Sequence, residues 1–202
     1  TSPPGPGNYL AMASNGRYLY AVLGQPGGAT SGTGALLRAR HTSSMLSTLR
    51  YVASYPEKEG DPLVPVALTM GNNGYLVSVL QANGSVATQG EMPPSQLSFM
   101  QPEPSARQSL TPVRLPLPLR GIISIAYSPV PRPVDPTLYA LVGDNNFDTQ
   151  SGVYRLNAGL DDRGRSAVQP MLVQAIQTPT AMAFDHEGTL YVTALAEDSR
   201  GD

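Results

Sequence analysis

Residues 179–193 read PTAMAFDHEGTLYVT. A short apolar segment, PTAMAF, runs into the polar tetrad Asp185-His186-Glu187-Gly188, and TLYVT follows. The alternation of Thr189, Leu190, Tyr191, Val192 and Thr193 suits a strand with two unlike faces and does not fit a helical period. Gly188 supplies the residue that a tight reversal needs, because glycine accepts positive φ without a steric penalty. The stretch therefore predicts two strands joined by a hairpin turn.

Working outward, the same grammar recurs. Residues 8–40 begin NYLAMASNGRYLYAVLG, pass through a Gly-rich stretch and resume as GALLRAR. Residues 65–92 read PVALTMGNNGYLVSVLQANGSVATQGEM. Residues 121–157 hold GIISIAYSP, a Pro-rich insert, PTLYALVGD, a polar loop and SGVYRLN. Each unit places an apolar strand, a turn and a second strand containing Leu-Tyr or Tyr-Leu. Asn15-Gly16, Asn73-Gly74 and Asn83-Gly84 are further hairpin signals. A third strand is legible in two units, and LLRAR matches VYRLN in placing an Arg after two apolar residues. Residues 43–54 read better as an outer strand than as a helical turn. Meander sheets of about four strands, spaced by roughly 40–50 residues, are the signature of propeller blades. The expected fold is all-β, a β-propeller with about three and a half blades in residues 8–202. The alternative is a β-sandwich, which explains the short strands but not the recurring phrase.

Composition narrows the class. The 202 residues include 20 Gly and 20 Pro, a density that breaks helices and excludes a coiled coil. No apolar run reaches the roughly 20 residues of a membrane-spanning helix. The net charge of −2 argues against a nucleic-acid binder. Cysteine is absent, so disulfides, thiolate zinc and a Cys nucleophile are excluded. The bases are Arg throughout except for Lys58.

Residues 1–7, TSPPGPG, read as a flexible leader. Residues 92–136 hold eleven of the 20 prolines. Proline cannot donate to a ladder, so this stretch is not a run of central strands throughout. An irregular inter-blade insert is expected at about residues 92–120, with residues 122–127 the one clear strand of the region and VRLPLPLR at 113–120 an edge or polyproline II segment. The fourth unit shows only its first two strands, which leads to the expectation of a longer native chain.

Few residues carry chemistry. Asp144, Asn146 and Asp148 set oxygen ligands at alternate positions, as a calcium loop opens. The match then fails, because Thr149 stands where the loop needs Gly and Arg155 where it needs Glu. These three are the candidate metal ligands and calcium the candidate ion. His41 and His186 read as surface residues, and Asp161-Asp162 with Arg163 and Arg165 as a solvated turn. There is no nucleophile elbow and no phosphate loop; residues 28–34, GATSGTG, read as a flexible connection. Asn83-Gly84-Ser85 spells a glycosylation sequon, and Arg200-Gly201-Asp202 a tripeptide with no structural context.

The phrase at 179–192 resembles the blade phrase of NHL-repeat and gluconolactonase-like (SMP-30) propellers, which runs Pro, x, Gly, apolar, Ala, x, Asp, two variable residues, Gly, x, Leu, Tyr, Val. The resemblance extends over residues 178–193 closely and over the third unit loosely. It implies a propeller, because its apolar positions pack between blades and its Gly makes the turn. It carries over no catalytic residue or metal ligand. Thr180 stands where those enzymes place an Asp, and Ala194 where NHL blades often do. The expected function is a non-catalytic propeller that binds or assembles with a protein partner, exported to the periplasm, cell surface or medium. The alternatives are a metal-dependent lactonase-like hydrolase whose remaining ligands lie outside this chain, and an extrinsic subunit of a larger complex.

Overall fold

The apolar segments become fourteen strands, and no described residue is helical. The computed structural model describes residues 8–24, 34–40, 50–55, 63–71, 74–82, 95–101, 113–129, 137–143 and 149–195. The chain divides into two units, Thr1–Leu117 and Pro118–Asp202. The first holds β1 (Asn8–Ser14), β2 (Tyr18–Gly24), β3 (Gly34–Arg40) and β4 (Arg50–Tyr55) in one sheet. It also holds β5 (Leu63–Met70), β6 (Leu76–Ala82), β7 (Ser95–Met100) and β8 (Val113–Leu117) in another. The second unit holds the sheet β9 (Ile122–Tyr127), β10 (Leu138–Val142), β11 (Gly152–Leu160) and β12 (Ser166–Ala175), followed by the two-stranded sheet β13 (Pro179–Phe184) and β14 (Leu190–Ala194). Strands pair antiparallel in chain order throughout, and none of the four sheets closes into a barrel.

The recurrence read from the sequence is present in the ladder itself. In all four leading hairpins, four residue pairs run back from the turn and then one residue of the first strand is skipped. The skipped residues are Leu10, Val66, Ile123 and Thr180. A bulge of this kind bends the strand and strengthens its twist. Its constant position aligns the second strands residue by residue. Leu19, Leu76, Leu138 and Leu190 fill the first place after the turn. Tyr20, Val77, Tyr139 and Tyr191 fill the second. The third strands align too. Leu36 pairs with Val22, Leu97 with Val79 and Val153 with Leu141, so LLRAR and VYRLN are superposed by their ladders.

Three turns also share one backbone arrangement. Residue i donates its N–H to the carbonyl of i+4 and accepts the N–H of i+3. This holds from Gly71 to Tyr75 (2.8 and 3.0 Å), from Asp161 to Arg165 (2.8 and 2.8 Å) and from Asp185 to Thr189 (3.0 and 3.2 Å). The fourth residue needs positive φ, and Gly188 provides it at +88°.

Packing follows one rule in both units. Side chains alternate across a strand, so Tyr20 and Val22 leave one face of the first sheet together with Leu36. They pack on Leu63, Leu68, Leu76, Leu80 and Met100 of the second sheet. In the second unit Tyr139, Leu141 and Val153 pack on Met182, Leu190 and Val192. The second and fourth places of the earlier sheet therefore meet the first and other odd places of the later one, twice over. Within each unit the first strand of the earlier sheet lies against the first strand of the later one, β1 on β5 in the first and β9 on β13 in the second. Each aliphatic side chain so buried contributes about 1.5–3 kcal/mol.

The proline-rich region holds more order than its composition suggests. Ile122–Tyr127 is a strand as expected, but it is not the region's one strand. Ser95–Met100 is the third strand of its sheet, with Leu97 and Ser98 fully buried. This six-residue segment contains no proline, so its ladder keeps every donor. Val113–Leu117 is the outer strand, and Pro116 sits where a missing donor on an edge is tolerated.

Candidate functional site

Asp144, Asn146 and Asp148 lie outside the described residues, as do His41, the sequon at 83–85 and the tripeptide at 200–202. What the structure does place are the two ends of the loop that carries the three candidate ligands. The Gly143 N–H bonds the Gly121 carbonyl at 2.9 Å, and Ser151 Oγ donates to the Gly143 carbonyl at 3.4 Å. Tyr154 Oη donates to the Gln150 carbonyl at 2.8 Å. Among the described residues, no group of three or more His, Asp or Glu side chains converges as a metal site would require.

The described acids are Asp161, Asp162, Asp185 and Glu187, and all sit in two hairpin turns. Asp161 Oδ1 accepts the backbone N–H of Arg163 at 2.9 Å and of Arg165 at 2.8 Å. Its Oδ2 takes Arg165 Nε at 2.8 Å and lies 2.7 Å from Arg165 Nη2. Asp185 Oδ1 accepts from the Glu187 N–H at 3.0 Å and the Thr189 N–H at 2.8 Å. These are carboxylates that hold a turn together by supplying acceptors to its own backbone. The aligned turn at Gly71 does without one. His186 and Glu187 stand 3.8 Å apart and open to solvent. The expectation of solvated turns at 161–165 and 185–188 is met.

Donation to the ionised form favours it. The side chain of Arg165 chiefly, then its backbone N–H, holds Asp161 below its ordinary range. The backbone N–H of Thr189 chiefly does the same for Asp185. Both carboxyls thus titrate at lower pH folded than unfolded, and the folded chain binds fewer protons there. Their stabilisation is complete above the ordinary carboxylate range and is lost as pH falls through the folded values. Melting curves should therefore shift to lower temperature as pH drops below that range. The double variant Asp161→Asn with Asp185→Asn should show a flatter pH dependence. An unchanged slope would remove these two turns from the account.

The remaining surface is marked by apolar strands. The eight strands of the four leading hairpins contain no charged residue. Met171, Leu172 and Val173 form a consecutive exposed apolar run on β12, which is an outer strand. In the last hairpin Tyr191 is 60% exposed and Leu195, just past β14, is 67% exposed. Sequence reading did not single out either patch. The signal for the first was available in PMLV on a strand with nothing after it to pair. The residues define a class: an all-β chain of antiparallel sheets, three of four strands and one of two among the described residues, in which Asp161 and Asp185 serve their own turns. No protein-family model matches the chain, and no curated protein matches it.

Proposed function

We propose that the chain is a β-propeller module of the NHL-repeat or gluconolactonase-like kind, exported, which binds or assembles with a protein partner rather than catalysing a reaction. The observation that carries this reading is the packing rule. The same two faces meet in each unit, and first strand lies on first strand. Sheets that stack by one repeated operation, with their first strands adjacent, are what a radial array requires. The uncharged first strands add to it, because in a propeller the first strand of each blade lines the axis. An axis without charge suits apolar filling better than a divalent ion.

The test sets this module against the lactonase-like hydrolase. Calcium and zinc are titrated into the chain while thermal melting and lactone hydrolysis are followed. The expected result is no hydrolysis with either metal. A metal-dependent rise in melting temperature accompanied by hydrolysis would overturn the reading. A calcium-dependent rise without hydrolysis, lost in Asp144→Ala and Asp148→Ala, would assign calcium a structural role in the loop at 144–148 and leave the module intact.

A further inference from the structure

The two faces that meet within the first unit are not wholly apolar. By alternation, the face of β7 that carries Met100 into the core also carries Ser98 and Gln96. In the ladder Ser78 pairs with Ser98, and Ser98 with Arg114, so a polar row crosses the second sheet from β6 to the outer strand β8. On the first sheet, the face that carries Tyr20 and Leu36 into the same core carries Arg38, the register partner of Tyr20. The Arg38 guanidinium lies 4.6 Å from the centre of the Tyr18 ring, a cation–π contact that holds it on that face.

Two atoms of this polar row stand out. Ser98 is 0% exposed and its hydroxyl has no hydrogen-bond partner in the protein. Gln96 Oε1, two residues away on the same face, is buried and likewise without one. Buried polar atoms are costly when unsatisfied, so a pair of them side by side calls for a ligand that satisfies both. Charge says which kind. Arg114 ends the row on one sheet and Arg38 stands on the facing one. Over the whole sequence the first unit holds seven Arg and Lys against five Asp and Glu, whereas the second holds six against ten.

We infer that this face of the first unit binds a phosphoryl group, with Ser98 Oγ as the buried donor, Arg38 and Arg114 as the cationic partners and Gln96 Oε1 as the acceptor of a phosphoryl hydroxyl. Guanidinium forks match phosphate oxygens in geometry and charge. Donors that arrive from two facing sheets suit a tetrahedral anion better than a planar carboxylate. A hydrogenphosphate has a proton to donate to Gln96, and sulfate at neutral pH has none. The assignment needs only the packing of the first two sheets and stands apart from the partner-binding reading.

The probe is inorganic phosphate, titrated into the 202-residue chain at neutral pH and constant ionic strength, with sulfate as the comparison anion. The amide resonances of Ser98 and Gln96 are followed. The expected result is a saturable shift with phosphate and binding about fivefold weaker or more with sulfate, which forgoes the Gln96 bond. Ser98→Ala and Arg38→Gln should each weaken phosphate binding by about tenfold or more, since each removes a bond to a charged group. Without phosphate, Ser98→Ala should melt no lower than the parent chain, because it deletes only an unsatisfied hydroxyl. No saturation at tens of millimolar phosphate, equal binding of sulfate, or unchanged affinity in Ser98→Ala would overturn the inference. So would a phosphate-free Ser98→Ala chain that melts lower than the parent, because Ser98 would then be satisfied within the fold.

Discussion

Gly152→Ala should lower stability by about 2–5 kcal/mol and the melting temperature by about 4–20 °C. Gly152 opens β11 opposite Ala175 with φ +147°, a region that side-chain-bearing residues rarely adopt. A Cβ there would collide with the Gln174 carbonyl oxygen and lie 2.9 Å from the Ala175 Cα. Both are backbone atoms of the neighbouring strand, so relief requires β11 and β12 to part or the entry to β11 to rebuild. Gly159 offers the internal comparison. Its added Cβ would meet Gln169 Cδ, towards the far end of a flexible and exposed side chain that can swing away. Gly159→Ala should stay within about 1 kcal/mol. Urea titration of both variants checks the pair. Equal losses would show that closeness of approach, rather than what is approached, sets the penalty.

The same contrast between side-chain and backbone causes explains what was legible in the sequence. Turn chemistry is written in residue types, and Asn15-Gly16 and Glu187-Gly188 were readable for that reason. Gly16 indeed has φ +81°. The third strands were found where an Arg follows two apolar residues, and the register confirms Arg38 and Arg155 as counterparts. SQLSFM at β7 carries no such mark and sits between proline-rich flanks, so composition outweighed its alternation. The bulge left no consistent residue type, since Leu10, Val66, Ile123 and Thr180 share only a place in the backbone path. For the candidate site, Asp161 and Asp185 were legible as turn residues, because an Asp three positions before a Gly supplies an acceptor to the N–H groups of the residues on either side of that Gly.

Leu141→Ala should cost about 2–5 kcal/mol, as truncation of a fully buried leucine leaves a cavity that the surroundings fill incompletely. Leu141 is 0% exposed and packs with Val153 and Met182, between β10, β11 and β13. Thr193 occupies the same fourth place in β14, yet it is exposed. Its hydroxyl lies 2.8 Å from that of Thr180 on the solvent side. Thr193→Ala should therefore stay within about 0.5–1 kcal/mol. One place in one repeating phrase thus carries two energies, because burial and not alignment determines the loss. Denaturation of the two variants side by side measures the difference. A Leu141→Ala loss below about 1 kcal/mol would mean that the face joining β10 to the last hairpin is looser than its packing implies. A large Thr193→Ala loss in the chain alone would mean that the fourth place of β14 already has a cover.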